Sequence, residues 1–314
     1  MGSKGQINRR RNAKIRRRRK IIGILTAVLS LLICISIILF ISKFVLDKAT
    51  EEKDVEEQTE DLTVVDKKEK ERQKMEEENG EVERVKPDLS QGTADSIPIC
   101  MYHYVYENSN PPEKIDANFI EVNVLEEELK YLKENGYYFP TWAEVREFID
   151  GKIELPKKSI VLTFDDGPIY IELAVPLLEK YGIQATSFVI TSYYDSKEML
   201  DGYRNKNLYF ESHSHNMHRG GGNIGHGGIF PALSKEEALQ DLRQSIEYCG
   251  SGEAFAYPFG DYTVECEQVL EEAGFLCAVT TEAGKCSPGA APYALPRVRM
   301  SGGQTLAEFI KKIQ

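Results

Sequence analysis

Ser159-Ile-Val-Leu-Thr-Phe164 is a short, β-branched run that is apolar on both faces, and it stops at Asp165-Asp166-Gly167-Pro168. A segment with no wet face and a breaker behind it reads as a strand covered on both sides, the situation of strands in parallel α/β sheets. Its end has a chemical consequence too. Neighbouring residues leaving a strand point in different directions. Two adjacent carboxylates there can take different jobs in one cleft, one on a metal and the other on protons. The plainer reading of Asp-Gly-Pro is a turn.

The surrounding chain alternates strand and helix signals. Asn123 reads as the N-cap of a helix with Leu125, Leu129 and Leu132 on one face and Gly136 as terminator. Thr141-x-x-Glu144 and Ser234-x-x-Glu237 are capping boxes, the second for a helix ending at Cys249-Gly250. A helical stretch with Pro176 in its first turns runs to Lys180. Ala185 to Ile190, Ala254 to Tyr257 and Leu276 to Thr280 read as strands, and 264–272 and 306–313 as helices. Repeated strand–helix units predict a parallel sheet or barrel.

A second chemical cluster follows the apolar run Leu208-Tyr-Phe210. Glu211-Ser-His-Ser-His-Asn-Met-His218 holds three of the chain's five histidines. Imidazole suits zinc, and a site of His plus carboxylate with positions left for water is catalytic in type. Such density in a His-poor chain weighs against a merely solvated loop. Gly220 to Gly228, which contains His226, reads as a mobile loop.

Thr163-Phe-Asp-Asp-Gly167 together with the His-Ser segment resembles the first two motifs of the polysaccharide deacetylases (the NodB-homology domain, carbohydrate esterase family 4). Phe255-Ala-Tyr-Pro-Phe-Gly-Asp261 is similar to that family's Arg-x-Pro-Tyr-Gly motif, and Cys100-Met-Tyr-His-Tyr104 resembles the Met-Tyr-His start of many members. The resemblance spans about residues 97 to 314. It implies a distorted, incomplete TIM-type (β/α) barrel, with catalytic residues at the C-terminal ends of the strands. It implies Asp166 as a metal ligand with two histidines, and Asp165 as the general base for a water that attacks an N-acetyl carbonyl. Many members space their histidines by four, but that position is Met217 here. His218, at plus five, matches the poly-N-acetylglucosamine branch, so the implied ligands are Asp166, His213 and His218, and His215 falls outside the set. The metal is a divalent ion, Zn2+ first, with Co2+, Ni2+ and Fe2+ as the other candidates. A backbone N–H near Phe259 is the implied oxyanion donor. Tyr257 and Phe259 are placed at the sugar.

Two departures from the family pattern matter. The motif-three Arg is Ala256, and no histidine follows His226 to protonate the leaving amine. Leu295-Pro-Arg-Val-Arg299 lies in that place, so Arg297 and Arg299 are expected at the substrate as replacement positive charge, although Arg cannot serve as a general acid. His103 is the substitute acid; the alternative for it is a hydrogen-bonded core histidine.

The rest of the chain predicts where such an enzyme works. Residues 1–20 carry ten Lys or Arg and no acid, and 21–42 carry no charge at all. A run of this length spans a bilayer and lacks the small-residue site of a cleaved signal. Residues 21–46 are therefore read as a single-pass membrane anchor with its basic side in the cytoplasm. Residues 47–96 are a charged tether too poor in apolar side chains to bury a core. The domain assigned to 97–314 is acidic: residues 91–314 carry −14 of a chain total of −11. That field disfavours nucleic acid and other polyanions and accepts a neutral or basic polymer. Five cysteines fall in this region, an odd number that leaves at least one unpaired and has room for one or two disulfides, with Cys100 and Cys277 as plain core residues. The expected activity is removal of N-acetyl groups from peptidoglycan or poly-N-acetylglucosamine outside the cell. The alternatives are an O-acetyl esterase on xylan or another glycan, and a non-catalytic carbohydrate-binding module. No oligomeric state is read from the sequence.

Overall fold

The computed structural model describes residues 87–314, together with Lys43. The basic block at 1–20, the anchor at 21–46 and most of the tether at 47–96 lie outside the described residues. Among the described residues no helix is long and apolar enough to cross a membrane.

Strand β1 (Ile99–Tyr102) leads into a short pair, β2 (Tyr104–Tyr106) and β3 (Phe119–Glu121), and then helices α1 (Val122–Glu134) and α2 (Trp142–Ile149). Strand and helix then alternate: β4 (Val161–Phe164), α3 (Val175–Tyr181), β5 (Ala185–Val189), α4 (Lys197–Asp201), β6 (Leu208–Ser212), α5 (Lys235–Cys249), β7 (Ala254–Ala256), α6 (Val264–Ala273) and β8 (Cys277–Ala283). β9 (Leu295–Arg299) and α7 (Leu306–Ile313) complete the chain. Seven strands form a closed parallel barrel in the order β1-β4-β5-β6-β7-β8-β9, with β9 pairing back onto β1 through Cys100↔Val298 and Met101↔Arg299. The barrel has one strand fewer than the eight of a TIM barrel, which is the incompleteness expected, and it is closed. Closure depends on β9, which carries Pro296, a residue that argues against a central strand.

Side chains alternate across the barrel wall. Ile99, Val161, Phe188, Ala254, Ala256, Cys277, Val279 and Leu295 form one buried interior cluster, which α2 joins through Trp142, Val145 and Phe148. The Trp142 indole also donates to Thr186 Oγ1 at 3.0 Å. The alternate residues Cys100, Leu162, Phe164 and Phe210 pack outward with α1, α3 and α7, and Phe255 and Ala278 pack with α5 and α6. Pairing is sparsest between β6 and β7, which meet only at Ser212↔Phe255. There the buried carboxylate of Glu211 replaces the ladder, accepting from Ala254 N (2.9 Å) and Ser251 Oγ (2.5 Å).

Both capping boxes form as expected, and Pro176 sits in the first turn of α3, where its missing N–H costs nothing. The cap of α1 is Glu121, not Asn123: its carboxylate accepts from Asn123 N and Val124 N. The folded body also begins earlier than residue 97. Gly92 and Ala94 already belong to it, because Ala94 N bonds Leu155 O and Lys157 N bonds Gly92 O. No disulfide forms among the described residues. Cys100, Cys249, Cys266, Cys277 and Cys286 are all free and buried, packing as small apolar residues.

Candidate active site

The C-terminal ends of β1, β4, β6 and β7 surround a cavity of about 410 Å³, lined among others by His103, Asp165, Asp166, His213, His218 and Phe259. Three turns build its floor, and each holds a non-glycine residue in the left-handed region: Asp166 (φ 74°), Ser214 (φ 75°) and Phe259 (φ 61°). These are the only such residues among those described. Backbone held this way costs energy and persists where surrounding structure fixes it. After Asp166 the chain needs Gly167, whose φ is 114° and whose added Cβ would come within 3.0 Å of Tyr194 Oη.

The left-handed turn directs Asp166 toward two imidazoles. Its Oδ1 lies 3.7 Å from His213 Nε2 and 3.6 Å from His218 Nε2. One ligand atom from each of the three residues falls within 4.8 Å of the others. The donor set fits a divalent cation in three ways. It supplies two imidazole nitrogens and one carboxylate oxygen, leaving positions open. His213 Nδ1 is engaged with Ala256 O at 2.7 Å, the kind of outer contact that fixes a ligand's tautomer and leaves Nε2 toward the ion. Burial and the adjacent His213 lower the pKa of His218, partly opposed by Asp166, so its ring is neutral as a ligand must be. Phe259 stacks on that ring, centroids 4.5 Å apart.

His215 stands apart from this set. Its Nδ1 meets Thr191 Oγ1 (2.9 Å), its ring lies against Tyr248, and its backbone N–H donates to Asp241. Met217, the plus-four position, is buried in the cluster under α5 and α6.

Asp165 turns the other way and is 3 % exposed. Arg297 holds it with two parallel bonds of 2.7 and 2.8 Å, and also donates to Thr280 O and Thr163 Oγ1. Burial alone would raise the Asp165 pKa; the Arg297 guanidinium, with smaller contributions from His103 and His213, outweighs it and holds the carboxyl well below the usual range. The expectation for Arg297 at the substrate is therefore corrected. Its side chain is 1 % exposed, inside the barrel, and its partner is the carboxylate. It supplies from β9 the cation that Ala256 leaves out of the third motif. Arg299, by contrast, is exposed and lines the cavity beside Asn118, to which it donates. His103 lines the cavity with Nε2 3.9 Å from Asp165 Oδ2.

A profile of the polysaccharide deacetylase family matches residues 152–278 of this chain. Over that stretch the chain is similar to a polysaccharide deacetylase domain. The putative polysaccharide deacetylase YxkH of Bacillus subtilis is 28% identical over 222 residues, covering 68% of this chain and 74% of the relative. The poly-beta-1,6-N-acetyl-D-glucosamine N-deacetylase of Staphylococcus aureus is 28% identical over 219 residues, covering 63% and 73%. Among solved structures, the Streptococcus pyogenes deacetylase PplD in complex with acetate shares the fold, with a TM-score of 0.61 at 24% identity over 71% of this chain and 100% of that one. IcaB from Ammonifex degensii aligns with a TM-score of 0.55 at 25% identity, covering 66% of this chain and 92% of that one.

Three features of the site escape a reading of the motifs. Tyr104 donates its hydroxyl to Asp166 Oδ2 at 2.5 Å; it stands in the quoted run Cys100-Met-Tyr-His-Tyr104, but nothing in that run tells which tyrosine faces the site. Asp261 is buried and accepts from His226 N and Gly228 N at 2.8–2.9 Å. It thereby ties down the glycine segment, which is a hairpin bridged at Gly220↔Gly228 rather than a free loop, with His226 at the cavity wall. Gly225 lies so close to that carboxylate that a Cβ would sit 1.8 Å from Asp261 Oδ1. Tyr257 also differs from expectation. It borders the cavity, but it is 1 % exposed and its hydroxyl donates to Tyr293 O. It is a wall of the site, with no polar group to offer a sugar.

Proposed function

We propose that this chain is a membrane-anchored, divalent-metal-dependent hydrolase that removes N-acetyl groups from N-acetylglucosamine polymers outside the cell. One observation carries the reading: Asp166, His213 and His218 converge in a cavity that also holds a second, separately controlled carboxylate, Asp165. The name of the Staphylococcus aureus relative supports poly-β-1,6-N-acetylglucosamine ahead of peptidoglycan as the polymer. The basic block at 1–20 and the uncharged run at 21–42 support the anchor and its outward-facing domain.

The residues divide the chemistry. A divalent ion held by Asp166, His213 and His218, Zn2+ in this reading, would lower the pKa of a water and polarise the acetyl carbonyl. Asp165, kept ionised by Arg297, takes the proton of the attacking water. The new C–O bond turns the carbonyl into a tetrahedral oxyanion, for which a peptide N–H of the turn at Phe259 is the proposed donor. Collapse breaks the C–N bond, and His103 supplies the proton that lets the amine leave. Acetate and a glucosamine unit are the products. Arg299 and Phe259 line the space for the sugar.

The test is acetate release from a poly-N-acetylglucosamine, from peptidoglycan and from an O-acetylated xylan, each with and without chelator. Release from an N-acetyl polymer that chelator abolishes is the expected result. Release from the xylan alone would make the chain an O-acetyl esterase, and no release from any of the three would make it a carbohydrate-binding module. The orientation has its own check. Protease added to intact cells should remove the domain; protection until lysis would overturn the outward placement.

A further inference from the structure

The hydroxyl of Tyr104 has one partner, the metal-side carboxylate. We infer that Tyr104 is a positioning residue that confines Asp166 to a single ligand oxygen, Oδ1; this rests on the metal-dependent reading above. The two oxygens of Asp166 are treated differently by the fold. Oδ1 faces His213 Nε2 and His218 Nε2 at 3.7 and 3.6 Å, whereas Oδ2 accepts the phenol at 2.5 Å. A hydrogen bond from a phenol to an ionised carboxylate is charge-assisted and among the stronger ones a side chain makes. With Oδ2 engaged, two-oxygen binding of a cation by Asp166 would compete with that bond for the oxygen's lone pairs. One-oxygen binding leaves a coordination position free for water or a substrate carbonyl, which a hydrolytic site requires.

The placement of Tyr104 is a property of the fold. β2 lies outside the barrel and pairs with β3 in the register Tyr104↔Phe119. The Tyr104 ring is held between Phe119 and Tyr170, with centroids 4.8 and 5.1 Å away. The small sheet thus sets the ring while β1, one residue before, sets His103 in the same cavity. The contact also helps fix the carboxylate of a residue in a left-handed turn.

Tyr104→Phe removes the hydroxyl and keeps the ring. Zn2+ affinity is measured by competition with a chromogenic chelator on the wild type, Tyr104→Phe, Phe119→Leu and Asp166→Ala, together with the Tm of each metal-free protein. The dissociation constant of Tyr104→Phe should rise about 10- to 100-fold, the range for losing an outer contact to a ligand. Phe119→Leu, which loosens the ring's packing and keeps the bond, should bind Zn2+ much more nearly as the wild type does. A purely structural tyrosine would behave otherwise: Tyr104→Phe would lower the metal-free Tm and leave the dissociation constant unchanged, and that result overturns the inference. If the wild type binds Zn2+ in an Asp166-dependent way and Tyr104→Phe binds it equally well, only the positioning role fails. If the wild type binds no Zn2+, the metal-dependent reading fails, and this inference with it.

Discussion

Asp165 and Asp166 are neighbours in the chain, yet Arg297 holds the first while the second meets two histidines. Asp165 and Arg297 both stand out in the sequence, but 132 positions separate them, and only closure of β9 onto β1 brings them together. Periodicity and motif spacing carry no record of such a contact, so Arg297 reads from sequence as a substrate residue. A buried ion pair is costly to break, because the charge left behind has no water. Arg297→Met should therefore destabilise the fold by about 3–5 kcal/mol in urea denaturation, with loss of deacetylation. Adding Asp165→Asn should recover part of that stability, since it removes the stranded charge, while activity stays lost. Arg297→Lys should fall between, because an ammonium cannot make two parallel bonds. Additive losses in the double variant would contradict the pairing. The convergence of Asp166, His213 and His218, by contrast, was legible: they lie just past two apolar runs, and those strand ends meet at the barrel mouth.

Capped helices were the most readable elements, because a capping box is local chemistry. Thr141 with Glu144 and Ser234 with Glu237 form as their spacing requires. The hairpin at Gly220–Gly228 was less readable, since glycine content suggests mobility and its anchor, Asp261, lies in another motif. Asp261→Ala strips the acceptor from two backbone N–H groups, which should cost about 1–3 kcal/mol. The hairpin should then be cut by protease and KM should rise, with Zn2+ affinity unchanged. Unaltered KM and protease resistance would mean the hairpin does not bear on the substrate. Between β6 and β7 the repair by Glu211 has a pH signature. Burial, with Glu253 nearby, raises its pKa to about 8, against about 4.3 for a free glutamate. The folded protein then keeps a proton that the unfolded chain releases, so this contribution is full below about pH 4.3 and is lost as pH rises through about 8. Glu211→Gln, which cannot ionise, should flatten the fall in Tm across that window. An identical Tm–pH curve for variant and wild type would refute the assignment.

At the scale of the molecule, alternating strands and helices announced the α/β class, while closure was hidden in Pro296, which argues against the strand that completes the barrel. Cysteine number suggested cross-links, whereas packing uses all five described cysteines as core. Burial raises the pKa of each thiol, which makes them poor nucleophiles. Alkylation of the native protein should leave these five unmodified, and reductant should not change Tm; a Tm drop with reductant would reveal a disulfide. The central claim is that Asp166, His213 and His218 hold the ion on which N-deacetylation depends. It is tested most directly by titrating Zn2+ into metal-stripped protein while following acetate release from poly-β-1,6-N-acetylglucosamine. The account predicts that activity returns and saturates at one ion per chain. His215→Ala should behave like the wild type, while Asp166→Ala, His213→Ala and His218→Ala should neither retain the ion nor recover. Acetate release by the stripped protein, or loss of the ion in His215→Ala with retention in His213→Ala, would contradict it.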